Sequence, residues 1–396
     1  MIRDVWRGEP LRVCSLFSGI GGFEVGLNQA GHETIFQCEN DPAALAVLKR
    51  RFPSIRRHRD IKSLKALPRC DILTAGWPCQ DLSQAGSMAG IGGSRSKLIT
   101  EVFRLIDRSR SKPDFVVLEN VAFSLHLHEG AAIRKVTRRL QRAGYNWAYR
   151  VLDTQEFGLP QRRRRVFIVG TRNDKSPLPI LFDGTNNVSD VADARYVGFY
   201  WTEGNRGIGW TPEAIPPLKS GSAFSIPSPP AIWDKKERTF FVPSLQDAER
   251  LQGFRSGWTS PVSEIDLSER VRWRLVGNAV SVPIAKWIGK RLSAFDAERL
   301  SFLEPTEGKT ARRINLAWGG PHIEARFAFV ECEGPRKPKS NDLSEFKFKQ
   351  RVPLSSRAAA GVLARLVESP LRIEKKFLRD LAAFCGRKDL IANKAA

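Results

Sequence analysis

The chain has 396 residues, 42% of them apolar, and its 64 lysines and arginines against 42 acidic residues give a formal charge of +22. That length suffices for about two or three domains with sizeable cores, and no apolar run approaches the roughly 18 residues of a membrane span. So large a cationic surplus points to a polyanion, nucleic acid first, ahead of an anionic membrane surface, for which there is no lipidation signal or basic amphipathic terminus. The first ten residues carry no apolar signal region, so a cytoplasmic location is expected. The six cysteines, Cys14, Cys38, Cys70, Cys79, Cys332 and Cys385, form no CxxC pair and have no histidine at metal spacing. Neither a metal site nor a disulfide framework is expected.

From residue 11 to about 170, short apolar runs alternate with helical patterns. This is the signature of βαβ units around a parallel sheet, an α/β doubly wound architecture. Strands are expected over 11–17, 34–39, 72–76, 115–119 and 165–170, with helices over 22–30, 42–52 and 96–109. The first strand opens into Phe17-Ser18-Gly19-Ile20-Gly21-Gly22-Phe23, whose glycines let a ligand approach the backbone, although a tight structural turn accounts for them too. Glu39, closing the second strand, suits two ribose hydroxyls, and Asp60-Ile61 suits an adenine amino group and face. The spacing departs from G-x-G-x-x-G, so an adenosine without pyrophosphate, such as S-adenosylmethionine, fits better than a dinucleotide.

The apolar run 71–77 ends in Pro78-Cys79-Gln80, and Gly86, Gly90, Gly92 and Gly93 follow. Proline stops the strand, and the glycines suit a loop that closes over a substrate. A thiol at such a strand end is placed for nucleophilic attack, which requires the thiolate. Glu119-Asn120-Val121 ends another buried strand, so Glu119 is expected at the carboxyl edge where ligands bind. Helical spacing over 131–142 puts Ile133, Val136 and Leu140 on one face and Arg134, Lys135, Arg138, Arg139 and Arg142 on the other. That basic face reads as solvated surface, with contact to DNA as the alternative.

In the run 161–165, alternation puts Arg163 and Arg165 on one side of the entering strand and Arg162 and Arg164 on the other. Residues from about 174 to 245 are rich in Pro, Gly, Ser, Asn and aromatics, which fits a small irregular domain with recognition loops. Helical patterning returns near Arg270 and leads through 276–283 to a helix over 284–292. Beyond it come a strand-like stretch over 323–330, a basic linker over 334–341, and two helical stretches carrying Val362, Leu363 and Leu366, then Phe377, Leu381 and Phe384. The expected division is 11–173, 174–269, 270–295 as a return to the first domain, and 296–396 as an extension.

Taken in order, Phe17-Ser-Gly-Ile-Gly-Gly, Glu39, Asp60-Ile61, Pro78-Cys79-Gln80, Glu119-Asn120-Val121, Gln161-x-Arg163-x-Arg165, Arg250-Leu-Gln-Gly-Phe254 and Gly277-Asn278-Ala279-Val280 resemble the DNA (cytosine-5) methyltransferase family of bacterial and phage restriction-modification systems. The resemblance spans residues 11–295. It implies a Rossmann-like S-adenosylmethionine-dependent domain with a small target-recognition domain, and a monomer acting on double-stranded DNA, with a restriction endonuclease as a possible companion. It also implies attack of Cys79 on cytosine C6 in a flipped-out base, with Glu119 on the N3 and N4 edge and Arg163 and Arg165 holding the base. Phe17, Gly19, Gly22, Glu39, Asp60, Ile61, Pro78, Asn278 and Val280 would bind the cofactor, and Ser83, Arg95, Lys219 and Ser220 would contact DNA. Leu82 departs from the family, which commonly carries an aromatic there. An RNA cytosine-5 methyltransferase is one alternative, although the Cys-Phe-Thr tripeptide of that branch is absent. A catalytically silent DNA-binding protein is another. A nicotinamide oxidoreductase is disfavoured by Pro78-Cys79-Gln80 and the basic charge.

Overall fold

The computed structural model describes residues 9–77, 98–125, 130–172, 176–182, 194–219, 229–265, 267–294, 316–328 and 342–391. The elements run β1 (Arg12–Leu16), α1 (Gly22–Gln29), β2 (Glu33–Cys38), α2 (Pro42–Arg51), β3 (Arg56–His58), β4 (Ile72–Gly76), α3 (Leu98–Arg108), β5 (Phe115–Val121), α4 (Ala131–Arg142), β6 (Asn146–Asp153), β7 (Arg164–Thr171) and α5 (Leu178–Leu181). There follow β8 (Tyr196–Phe199), β9 (Thr211–Pro212), β10 (Ala231–Asp234), β11 (Thr239–Pro243), α6 (Leu245–Leu251), α7 (Glu269–Asn278), α8 (Val282–Ser293), β12 (Leu316–Gly320), β13 (Ile323–Ala328), β14 (Arg351–Pro353), α9 (Ser356–Glu368) and α10 (Lys375–Phe384). The chain divides into two compact units, Met1–Phe157 with Arg164–Val188 and Val280–Arg336, and Gly158–Arg163 with Ser189–Ala279 and Lys337–Ala396.

The first unit is built on a nine-stranded sheet ordered β13-β12-β6-β7-β5-β4-β1-β2-β3. Strands β3, β2, β1, β4 and β5 pair in parallel, as βαβ patterning dictates. The expectation of a parallel sheet fails at β7, which runs antiparallel to both β5 and β6. A parallel connection needs a crossover of about a dozen residues or more, usually a helix. Between β6 and β7 the chain forms only a short 3-10 turn, Thr154–Phe157, so it doubles back.

Apolar side chains cover both faces of this sheet, which is why its inner strands lack polar alternation. Ile99, Val102, Phe103 and Ile106 of α3 and Ile133, Val136 and Leu140 of α4 pack into one core. Phe23 and Leu27 of α1, Leu178, Ile180 and Leu181 of α5, and Ile284 and Ile288 of α8 pack into the other. Asp41 caps α2 by accepting from the Ala43 and Ala44 N–H groups, with Pro42 at the first helical position. α1 and α8 meet without intervening side chains: a Cβ on Gly22 would stand 2.5 Å from the Val280 carbonyl oxygen, and one on Gly26 2.5 Å from Ala285 Cβ.

The second unit holds a five-stranded antiparallel sheet ordered β14-β11-β10-β8-β9. Its core joins Phe199, Trp233 and Phe240 of the sheet to Val362, Leu363 and Leu366 of α9 and Phe377 and Leu381 of α10. Phe377 stands edge-on to Phe199, Trp233 and Phe240, with ring centroids 5.1, 5.2 and 5.6 Å away. The expected boundaries are therefore redrawn. The stretch read as one extension is divided, since β12 and β13 lengthen the large sheet while β14, α9 and α10 complete the second unit. α7 belongs to the second unit as well, and the return to the first begins at Val280. The stretch expected to be irregular carries β8 to β11, short strands whose separation by Gly- and Pro-rich segments hides their alternation.

Candidate active site

At the carboxyl end of β1 the backbone turns sharply into α1. Phe17 (φ 55°), Gly19 (φ 55°) and Gly21 (φ 90°) all adopt the left-handed region, a conformation costly for phenylalanine and a mark of functional turns. Glu39, directly after β2, staples this turn: its Oε2 accepts from the Gly19 N–H at 2.7 Å, and its Oε1 accepts from the Asn40 and Asp41 N–H groups at 2.8 Å each. Burial pushes the Glu39 carboxyl up from its ordinary pKa, while those three backbone donors pull it back. A Cβ on Gly19 would meet nothing within 4 Å, so open space borders the turn. An accessible backbone beside a carboxylate with lone pairs to spare fits an adenosine-bearing cofactor such as S-adenosylmethionine, and Phe17 lies partly buried at the same turn.

The other residues expected around the cofactor fall into different positions. Asp60 is exposed, and its Oδ1 accepts from the Lys62 N–H at 3.0 Å. Ile61 is only 5% exposed and packs in the core beside α3. Gly22 serves the close approach of Val280 described above. Asn278 ends α7 as an exposed residue of the second unit, whereas Val280 belongs to the first.

A second group stands at the carboxyl ends of β4 and β5, where Gly76 pairs with Glu119. The Glu119 side chain is nearly buried and its Oε1 lies 3.2 Å from Arg165 Nε. Its Oε2 lies 3.5 Å from where a Cβ on Gly76 would be, at ordinary van der Waals distance, so the carboxyl stands directly beside this strand end. Asn120, wholly buried, donates from Nδ2 to the Trp77 carbonyl at 3.4 Å and accepts the Val121 N–H at 2.8 Å. It thereby fixes the last described residue before Pro78. Pro78, Cys79, Ser83, Arg95 and Ser220 lie outside the described residues, as does Leu82.

The arginine run alternates as its sequence predicts, Arg162 and Arg164 exposed and Arg163 and Arg165 turned inward. The inward pair does not, however, act on one group. Arg165 takes Glu119. Arg163, 2% exposed, donates from Nη2 to the carbonyls of Gly277 (3.1 Å) and Ala279 (2.9 Å) and from Nη1 to that of Leu218 (3.3 Å). Gln161 does related work: its Nε2 donates to the Leu251 carbonyl (2.8 Å) and its Oε1 accepts the Leu218 N–H (3.0 Å). Gln252 then donates to the Val276 carbonyl at 3.0 Å. The sixth, seventh and last ordered motifs thus find a physical reason in hydrogen-bonded backbone, and Asn120, Gln161 and Gln252 are structural side chains to which sequence reasoning gave no role. Their signal was a buried amide beside a charged motif residue. Lys219, expected to contact DNA, pairs with Glu203 and sits 3.6 Å from the centroid of the Tyr200 ring. On α4, Arg139 pairs with Asp107 at 2.9 Å while Lys135, Arg138 and Arg142 are exposed.

Among the described residues, no cluster of three or more His, Cys, Asp or Glu is arranged to hold a metal ion, and no helix is long and apolar enough to cross a membrane.

Residues 11–192 match the family model of C-5 cytosine-specific DNA methylases. The Type II methyltransferase M2.BsuMI of Bacillus subtilis (strain 168) is 42% identical over 368 residues, which cover 90% of this chain and 93% of that protein. The Type II methyltransferase M.FnuDI of Fusobacterium nucleatum is 29% identical over 329 residues, covering 71% of this chain and 94% of that protein. Among solved structures, the S. pombe Dnmt2 methyltransferase aligns with a TM-score of 0.53 at 19% identity, over 72% of this chain and 98% of that one, a likeness of fold. With a stapled adenosine-type turn, a buried carboxylate at the sheet edge and a relative of this identity along nearly its whole length, the chain belongs to the C-5 cytosine-specific DNA methylase family and is a DNA cytosine-5 methyltransferase that uses S-adenosylmethionine.

Proposed function

We propose that Cys79 is the nucleophile of this reaction and that Glu119, steadied by Arg165, holds the target cytosine. The observation that carries this reading is the register of β4 and β5. It sets Glu119 beside Gly76, three residues before Cys79 along the chain, with the Arg165 guanidinium at 3.2 Å. A base held in a duplex hides C6, so the cytosine is rotated out of the stack at a cost of a few kcal/mol.

The Cys79 thiolate then forms a bond to C6, and the displaced ring electrons collect at C5. Glu119 favours this step by hydrogen bonding to the N3 and N4 edge of the base, where the ring becomes proton-rich. S-adenosylmethionine supplies an electrophilic methyl group, whose bond to sulfur breaks as the bond to C5 forms. The C5 proton leaves to solvent, its bonding electrons re-form the ring double bond, and the Cys79–C6 bond breaks to return the thiolate. Phe17, Gly19 and Glu39 hold the cofactor, with Asp60, Ile61, Pro78 and Val280 completing the set and Gly22 shaping the turn from behind. Arg163 acts as a positioning residue through the carbonyls of Gly277 and Ala279. Ser83, Arg95, Lys219 and Ser220 contact DNA, for which Lys219 exchanges its Glu203 partner for phosphate or base.

The proposal extends to the setting: a monomer in the cytoplasm, acting on a short sequence in double-stranded DNA and paired with a restriction endonuclease of the same specificity. The Type II designation of the relatives supports the pairing. The test is Cys79→Ala. It is expected to lose methyl transfer while duplex DNA binding stays within about twofold, because a thiol-to-methyl change removes the attacking atom and little binding surface. Transfer near the wild-type rate would remove Cys79 from the mechanism.

A further inference from the structure

In the second unit, β8 runs into a tight turn over residues 200–203, closed by the Glu203 N–H donating to the Tyr200 carbonyl at 3.4 Å. Its side chains hold the chain on both sides of the stretch 220–228, which lies outside the described residues. Before that stretch, the Tyr200 hydroxyl donates to the Pro217 carbonyl at 2.7 Å, the Lys219 ammonium sits over the Tyr200 ring, 3.6 Å from its centroid, and Glu203 pairs with the same ammonium. After it, the Trp201 Nε1–H donates to the Pro229 carbonyl at 2.9 Å. The turn is in turn gripped by α9. Arg365 donates from Nη2 to the Trp201 carbonyl at 2.7 Å and from Nε to the Glu203 carbonyl at 3.1 Å. Helix and turn approach so closely that a Cβ on Gly204 would stand 2.9 Å from Arg365 Cβ.

A half-buried guanidinium commonly takes a carboxylate, yet among the described residues Arg365 meets these two backbone oxygens and no acid. The planar fork of arginine spans two carbonyls at once, which the single ammonium of lysine does not. What Arg365 holds is the mount of Lys219. The Lys219 and Glu203 side chains are each 39% exposed, and an ion pair this open is weak enough to be exchanged. We propose that Arg365 is a positioning residue for DNA binding: from α9 it fixes the 200–203 turn, and that turn presents the Lys219 ammonium to the duplex. A cation on a fixed mount loses less freedom on binding than one on a loose loop, so the grip is felt as DNA affinity. The C-terminal extension thereby takes part in substrate binding without touching DNA through this residue.

This inference rests on the reading of Lys219 as a DNA contact, and steady-state methylation by the full chain tests the two separately. The substrate is a duplex carrying a sequence that the wild-type protein methylates. Lys219→Ala should raise KM for that duplex about tenfold and Arg365→Ala about fivefold. In Arg365→Ala, kcat at saturating duplex and KM for S-adenosylmethionine should hold, since Phe17, Glu39 and Glu119 belong to the first unit. A merely structural arginine would instead lower the active fraction, and so kcat, with KM unmoved. Because Arg365 acts through Lys219, the double variant should match Lys219→Ala alone, not the roughly fiftyfold product of two independent effects. Should Arg365→Ala not fold, the same cycle is run with Arg365→Lys, which keeps the charge, loses the fork and should raise KM about threefold. Independent effects in the double variant, a fall in kcat alone, or wild-type KM in the Arg365 variants overturns the proposal and leaves Lys219 in place. Wild-type KM in Lys219→Ala instead removes Lys219 from the DNA contacts, and the proposal with it.

Discussion

At the residue scale, the carboxylates at 39 and 119 show how one residue type serves two tasks through its surroundings. Glu39 accepts three backbone N–H groups and so shapes a turn, whereas Glu119 meets a guanidinium near the end of its strand. Glu39→Ala leaves the Gly19 N–H without its acceptor, a loss of about 1–3 kcal/mol. Cofactor affinity should accordingly fall at least about fivefold while DNA affinity changes by less than about twofold. Parallel titrations with S-adenosylmethionine and duplex DNA measure both, and equal losses would contradict the assignment. Glu39, Glu119 and the inward turn of Arg163 were legible in the sequence, because each follows from where a strand ends or alternates. The partners of Arg163 were not, since three carbonyls from residues 218, 277 and 279 come together only through the fold. Ile61 was legible as apolar, but core and adenine face present the same signal in one dimension.

At the scale of elements, the strands β1, β2, β4 and β5 and the helices α1, α2 and α4 stand within a residue or two of where apolar periodicity puts them. β6 escaped notice because every residue in it is buried, Arg150 included, so that it has no alternation to detect. The Arg150 guanidinium is accommodated by donating to the Leu181 carbonyl at 2.7 Å. β3, only three residues long and basic, carries no apolar signal at all. The chain's last elements complete the second unit. α9 and α10 cover the aromatic face of the second sheet, and Arg365 of α9 donates to the Trp201 (2.7 Å) and Glu203 (3.1 Å) carbonyls, next to the Lys219 pair. A chain ending at residue 341 would expose Phe199, Trp233 and Phe240. Each buried aromatic of this kind is worth about 2–3 kcal/mol, so the second unit should not fold, and limited proteolysis should degrade residues 189–279 while sparing the first unit. A truncated protein that resists protease and methylates the same sequence would show the C-terminal elements to be dispensable.

At the scale of the whole molecule, the charge of +22 and the family agree on DNA, and a polyanion substrate makes affinity fall steeply with salt. Composition carried that much, and the ordered motifs carried the reaction. What the sequence withholds is the base sequence read, because readout depends on a few side chains and their groove geometry. One measurement addresses the central claim and that gap together: incubation with labelled S-adenosylmethionine and duplex DNA of mixed sequence, followed by mapping of methylated bases at single-base resolution. The account predicts methyl groups on C5 of cytosine, confined to one short sequence and absent with Cys79→Ala. Methylation at another atom, or no transfer to any duplex by protein that binds the cofactor, would contradict it.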